Sequence, residues 1–314
     1  MEQPTDVQDV RVVHYGLGTL GTSIARVVAA RDGLTSVAAF DSAAALDGRD
    51  LGEVAGLGRT LDVTVESSPD AIRDVEADVV LYTQDGDLDV AVTDLELLLE
   101  AGLNVVAILP ELAYPPDEDD DDLAVSIDTL AREAEVTVLA LDPSDALLGT
   151  LPLSLTAIAS RVDRVVVRRR GTSGAIGRLS QGDWAQALAE SLGWALDDLD
   201  ELEEEQGGLP RGHHRIVGSV DGREVLLVET ITDPSATAPV LEVEIEGTPA
   251  LTLTLTGGAG ADQSLASLAV NAIPAVLTGD PGLYTLSDLP PIHYWTSLGL
   301  MPADEDDEDM DDDF

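Results

Sequence analysis

Apolar positions along the chain follow two rhythms, one in each half. Val10, Val12, Val13 and Tyr15 form a short apolar run that predicts a strand, and Ile24, Ala25, Val27 and Val28 then recur at helical spacing. A second strand is predicted over Val37, Ala38, Ala39 and Phe40, ending on Asp41. Further strand-like runs lie at 61–65, 77–82, 104–108 and 136–141, with helical patterns at 88–100 and 123–133 between the later ones. Strand and helix in alternation predict a parallel sheet covered on both faces.

The rhythm changes after residue 141. Asp142-Pro143 breaks the pattern, a helix is predicted at 147–159 and a strand at 162–169. Short helical pieces around Trp184 and Trp194 lead into an acidic stretch at 197–205. The runs at 215–220, 224–232, 241–245 and 251–256 alternate or nearly so, and Val220-Asp221-Gly222-Arg223 is a hairpin signal. Four or five such strands predict a mainly antiparallel sheet with one face under helices. A last helix starts near Asp262, which can cap it, and runs through Leu265, Leu268, Ala269 and Ile273 to Pro274.

Charge changes the picture of the surface. Sixteen basic residues, all arginine, face 61 acids, a formal net of -45. A disordered acidic chain would lack the periodic apolar segments seen here, so the acidity belongs to a folded protein with a carboxylate-dense surface, of a halophilic type. Such a surface repels phosphate, which excludes a nucleic-acid partner. Cysteine is absent, removing disulfides and thiolate chemistry, and no His, Asp and Glu spacing suggests a metal site. The acidic start is unlike a signal peptide and the apolar runs are too short for a bilayer, which predicts a soluble cytoplasmic protein without a membrane partner. The acidic residues 303–314 are expected to be a disordered tail.

Between the first strand and first helix stands Gly16-Leu17-Gly18-Thr19-Leu20-Gly21, a G-x-G-x-x-G in the context that dinucleotide binding requires. Gly16 permits the tight turn, Gly18 lets a pyrophosphate approach the backbone, Gly21 lets helix and strand pack closely, and the helix amides with Thr19 and Leu20 face the phosphate. Asp41 lies twenty positions past Gly21 (41 minus 21), where an acid would bond a ribose 2′-hydroxyl; this favours NAD over NADP, with Arg49 the nearest guanidinium for a 2′-phosphate. Strand ends at Thr83 and Glu111 place one residue beneath the nicotinamide ribose and one toward a substrate amine. The fold class is therefore α/β, a Rossmann-type dinucleotide-binding domain over 1–141 with an α+β second domain of mostly antiparallel sheet over 142–260, and a segment at 261–302 after it.

Proton donors are scarce. His14 reads as a packed core residue, and of the pair His213-His214 only one can face a cleft, His214 being the candidate acid. Arg168-Arg169-Arg170 is the one basic run; Arg169 is a candidate for a substrate carboxylate, with pairing to neighbouring acids the structural alternative.

Taken together the chain resembles the dihydrodipicolinate reductase-like family, and within it the 2,4-diaminopentanoate dehydrogenases. The resemblance rests on Gly16-Leu17-Gly18 with Ile24-Ala25-Arg26, on Gly48-Arg49-Asp50-Leu51-Gly52-Glu53, on Leu99-Glu100-Ala101-Gly102-Leu103-Asn104-Val105-Val106 and on Glu111-Leu112-Ala113-Tyr114-Pro115. It continues through Leu151-Pro152-Leu153, Val270-Asn271-Ala272-Ile273-Pro274 and the stretch 281–290. The resemblance implies an NAD(P)-dependent oxidoreductase that moves a hydride to or from the amine or imine carbon of a small amino acid. It implies a homodimer or homotetramer through the second sheet, and a final helix that returns to the cofactor domain. At the domain junction the family's Asn-Pro-Gly-Phe turn is replaced by Asp142-Pro143-Ser144-Asp145, which puts Ser144 in the substrate cleft and adds charge there. That departure and the thin donor supply leave open an alternative, a catalytically degenerate regulatory protein that keeps the dinucleotide site.

Overall fold

The computed structural model describes residues 9–84, 86–113, 118–143, 151–172, 181–205, 212–257 and 261–295. Ser144, Asp145, Tyr114, Pro115 and the acidic tail lie outside them.

Seven parallel strands make the first sheet. Their spatial order begins with β3 (Val65–Glu66), β2 (Leu34–Phe40), β1 (Val10–Tyr15), β4 (Val79–Tyr82), β5 (Asn104–Ile108) and β6 (Thr137–Leu141), and ends with a late strand, β13 (Gly282–Tyr284). Strands β4 and β6 are buried at every position, as expected where both faces are covered. One face packs on α3 (Leu88–Glu100) and α5 (Glu118–Glu133), through Leu95, Leu98, Leu99, Ile127 and Ala131. The other packs on α1 (Thr19–Ala29), α8 (Ala261–Asn271) and α9 (Ile273–Thr278), through Ile24, Val28, Ala269, Ile273 and Val276.

The chain therefore leaves this domain after β6 and comes back to finish it. The returning end is buckled to α1 by Arg31. Its guanidinium lies over the rings of Tyr294 and Trp295, 4.4 and 5.1 Å from their centroids. It also donates to Asn271 Oδ1 and to the Trp295 carbonyl.

The excursion builds a six-stranded sheet in the order β12 (Leu251–Thr256), β11 (Val240–Thr248), β7 (Arg161–Gly171), β10 (Arg223–Thr232), β9 (Gly212–Val220) and β8 (Asp198–Glu205). Only the β7–β10 pair is parallel. Trp184, Ala185 and Leu188 of α7 (Gln181–Ser191) cover one face, against Val165, Val167, Ile216, Leu226 and Val228. The other face carries a charge ladder, with Arg168 bonded to Glu229, Glu242 and Glu244 at 3.1, 3.0 and 2.9 Å.

Several sequence expectations change. The acidic stretch is a strand, β8, because an edge strand needs only backbone pairing with β9 and can carry charge. Trp194 lies beyond α7, past the positive-φ Gly193 that ends it, so no second helix forms there. The strand at 61–65 shrinks to Val65–Glu66, since Asp50 accepts from the amides of Gly52 and Leu61 and ties this stretch to α2 (Leu51–Val54) instead. Of the helix predicted at 147–159, residues 147–150 lie outside the described residues and α6 (Leu151–Thr156) ends three residues early, in a turn at 157–158.

His14 is where the sequence put it, 1% exposed in the core, with Nε2 2.9 Å from Ser36 Oγ. Burial pushes its pKa down to about 4, so the folded protein holds it neutral. The unfolded chain binds the extra proton first, so stability is lost as pH falls from about 6.5 toward 4. Between pH 6.5 and 4.5 this group is expected to remove about 2–3 kcal/mol, as a shift of one pKa unit is 1.36 kcal/mol. Urea midpoints of wild type and His14→Asn across that range check it; parallel curves would refute it.

Candidate functional site

The glycine loop sits at the C-terminal ends of β1, β2 and β4, where sheets of this class bind ligands. Gly16 has φ +91°, and a Cβ there would lie 2.5 Å from the Gln84 amide nitrogen. At Gly21 a Cβ would lie 1.9 Å from the Gly16 carbonyl oxygen. Both positions thus exclude any side chain, as the motif requires. Gly18 is different: it caps α1 with φ −65°, an ordinary value, and is exposed.

The first turn of α1 contains no acid, in a chain otherwise crowded with them. The amides of Gly18, Thr19 and Leu20 have no acceptor among the described residues, as the first turn of any helix leaves them. Such a group of outward amides, with the positive end of the helix behind it, suits a pyrophosphate.

Two residues clasp the loop. Asp41, 8% exposed, accepts the Leu17 amide on Oδ2 at 2.6 Å and the Ala43 amide on Oδ1 at 2.8 Å. It fixes the loop to the exit of β2, and each oxygen retains a second lone pair for a ribose hydroxyl. The Thr83 hydroxyl donates to the Gly16 carbonyl at 2.9 Å, so Thr83 supports the loop from below. Arg49 is exposed on the connection to α2, and its side chain does not line the cavity beside Asp41.

That cavity, of about 410 Å³, opens between the ends of β2 and β4. Its walls include Asp41, Ser42, Pro69, Gln84, Val90 and Asp94, with no arginine among them. Asp94 is the residue sequence reasoning missed. It interrupts the apolar stripe Ala91, Leu95, Leu98 of α3, which was the available signal. Its carboxylate accepts from Tyr15 Oη at 2.7 Å and Tyr82 Oη at 3.0 Å. Burial, then the neighbouring Asp94, raises the pKa of both phenols, keeping them donors.

Farther along the same sheet edge, Glu111 stands on α4 (Pro110–Ala113) just past β5, and its Oε2 is buried without a hydrogen-bond partner among the described residues. A buried carboxylate oxygen in that state suits proton transfer with a bound amine. Asp142, 1% exposed, ends the neighbouring β6.

In the second sheet the strand period separates the arginines. Arg168 joins the charge ladder, whereas Arg169 points to the helix-covered face and is 4% exposed. Burial pushes its pKa down to about 10, which leaves it protonated at neutral pH. Register sets His214 opposite Thr230, and Thr230 opposite Arg169, in one row across β9, β10 and β7. Side chains directly opposite share a face, so His214 and Arg169 belong together, roughly 10 Å apart at two strand spacings. His214 Nε2 lies 2.7 Å from Glu201 Oε1. No cluster of three metal-binding side chains occurs among the described residues, and no helix there is long and apolar enough to cross a membrane.

Comparison with known proteins agrees with this architecture. Residues 10–107 match the family model of the dihydrodipicolinate reductase N-terminus, and residues 204–299 that of the 2,4-diaminopentanoate dehydrogenase C-terminal domain. A 2,4-diaminopentanoate dehydrogenase from Acetoanaerobium sticklandii is 24% identical, over 90% of this chain and 94% of its own. An amine dehydrogenase from Mycobacterium smegmatis superposes with a TM-score of 0.75 at 21% identity, covering 92% of this chain and 98% of that one. A dipicolinate-bound dihydrodipicolinate reductase from Paenisporosarcina sp. TG-14 does so with a TM-score of 0.59 at 16% identity, covering 88% and 98%. Residues 10–107 are thus of the dihydrodipicolinate reductase N-terminal type and residues 204–299 of the 2,4-diaminopentanoate dehydrogenase C-terminal type, which makes the protein an oxidoreductase.

Proposed function

We propose that this protein is a nicotinamide-dependent dehydrogenase or reductase acting at the amine or imine carbon of a small amino-acid-like substrate, with NAD preferred. The observation that carries it is the acid-free nest of amides at Gly18, Thr19 and Leu20, framed by two glycines that admit no side chain and clasped by Asp41. The preference for NAD is supported by Asp41 and an arginine-free cavity beside it, where a 2′-phosphate would meet only acids and neutral groups.

When bound, the nicotinamide supplies a two-electron acceptor or donor for a hydride at the substrate carbon. The chain's own residues bind and handle protons. Arg169 holds the substrate carboxylate, a guanidinium in a low-dielectric setting being well suited to a bidentate pair. Glu111 takes a proton from the substrate ammonium in the direction of oxidation and returns it in reduction. His214, oriented by Glu201, is the second acid–base group. We place self-association as a homodimer or homotetramer on the charge-ladder face of the second sheet, supported by the absence of a described helix over it.

Fluorescence titration with NADH and NADPH in parallel, in roughly 2–4 M KCl to screen the acidic surface, tests the cofactor half. Saturable binding with NADH tighter supports the reading; a folded sample that binds neither overturns it. For the substrate half, Arg169→Gln is expected to raise KM for an amino-acid substrate by at least about tenfold, the weight of one lost charge-assisted pair, with NADH affinity unchanged. Steady-state kinetics beside the same titration would detect it, and an unchanged KM would move the carboxylate site elsewhere.

A further inference from the structure

Asp94 is 8% exposed, and its donors among the described residues are neutral phenols, on Tyr15 and Tyr82. An ionised carboxylate has about four acceptor sites, and these bonds occupy two. A buried anion without a cation or further donors is costly, so the side that remains calls for an N–H or O–H. Asp94 lines the cavity beside Asp41, which is where a bound ligand can bring such a donor.

The helix presents the cavity as a graded wall. Asp87, Val90 and Asp94 stand at i, i+3 and i+7, so they share one face of α3, which begins at Leu88 near the mouth. Val90 is 50% exposed there, an apolar surface open among the described residues, and Pro69 lines the same cavity. Asp41 and Ser42 bound it at the end of β2, so a ribose held at Asp41 directs its base into this space. The mouth is apolar, suited to a flat ring, and Asp94 at the floor is a strong acceptor.

We propose that Asp94 reads the base of the dinucleotide: its carboxylate accepts the exocyclic amine of a 6-aminopurine and rejects a 6-oxopurine. The inference rests on the dinucleotide reading above. An adenine amine donates into the open lone pairs of Asp94. A hypoxanthine or guanine turns a carbonyl oxygen toward them, so two acceptors face each other and the buried anion gains nothing. Tyr15 and Tyr82 are positioning residues that hold the carboxylate toward the cavity.

The test is a binding titration of the whole chain with NADH and with reduced nicotinamide hypoxanthine dinucleotide, which differ only in the amine. Wild type is expected to bind NADH about tenfold more tightly or better, the weight of one hydrogen bond to a charged group. Asp94→Asn keeps an oxygen for one tyrosine but offers an N–H to the base, which meets the carbonyl of the oxo form and not the adenine amine, so the preference is expected to be lost or reversed. A purely structural role for Asp94 would weaken both dinucleotides alike and leave their ratio unchanged. Should the variant not fold, displacement of NADH from wild type by AMP against IMP reads the same preference without a mutation. Equal binding of amino and oxo forms by wild type, or a full preference retained in folded Asp94→Asn, overturns the inference. Failure of every dinucleotide to bind overturns the underlying cofactor reading, and this inference with it.

Discussion

Valine in place of Gly18 is expected to weaken NADH binding by about a hundredfold, ~2.8 kcal/mol at 1.4 kcal/mol per factor of ten, while the melting temperature stays where it was. Alanine in place of Gly21 is expected to do something different. The two glycines belong to one motif, but the structure gives them separate tasks. Gly18 is exposed with φ −65°, a value any residue adopts, so a side chain there is expected to stand over the amides of α1 without forcing the backbone. A Cβ on Gly21 would lie 1.9 Å from the Gly16 carbonyl oxygen, a backbone atom that cannot swing aside. Gly21→Ala therefore forces α1 off β1, at a cost of about 1–3 kcal/mol in stability, and loses the cofactor through the displaced loop. Thermal unfolding alongside NADH titration separates the two effects. A Gly18→Val protein that binds normally would remove the pyrophosphate from this loop.

The second large effect concerns salt. A net charge of -45 on 314 residues repels itself, and that repulsion reaches farther as salt is withdrawn. The screening length is about 3 Å at 1 M but about 10 Å at 0.1 M, which is comparable with the spacing of two strands. The second sheet answers part of this locally. Arg168 is shared among Glu229, Glu242 and Glu244, and Arg164 binds Glu224 and Glu246. Among the described residues the first domain has fewer such pairs, those of Arg11, Arg73 and Arg132. Stepwise dilution of KCl, followed by circular dichroism and near-ultraviolet fluorescence, is expected to show cooperative loss of structure below about 0.5 M, where the screening length grows past contact distance. Full stability in dilute buffer would mean that the acids are spaced widely enough to need no screening.

How much was legible beforehand follows from what each residue's signal depends on. Gly16, Gly18 and Gly21 were legible because their demands are local: a turn, an open backbone and a close contact, all within six positions of one another. His14 was legible because a polar residue inside an apolar run has few choices but a partner in the core. The strand β8 was not, since an edge strand is held by its neighbour's backbone and eight residues rich in Asp and Glu show no apolar period. Sequence left Arg169 undecided between substrate and neighbouring acids. Alternation along β7 puts the two arginines on opposite faces, Arg168 among the acids of the ladder and Arg169 on the covered face. Which face lies under α7 depends on packing far along the chain, and no local pattern carries it. Asp94 escaped for the opposite reason, being one acid among 61 and distinguished only by its phase on α3.

The return of the chain to its first sheet has a consequence for how the protein is made. Gly282, Leu283 and Tyr284 add to β6 beside Thr137, Val138 and Leu139, and Ile273 and Val276 cover a face that also includes Val12 of the first strand. On a ribosome, the nascent cofactor domain has one flank bare until those late residues emerge. The excursion domain, whose strands are nearly consecutive, has by then all its partners within reach. The second sheet can therefore complete its pairing before the first sheet does, because contacts across long stretches of chain form slowly and domains fold as units. During that interval the bare flank, lined by Leu81, Val106 and Leu139, is the surface most in need of a chaperone.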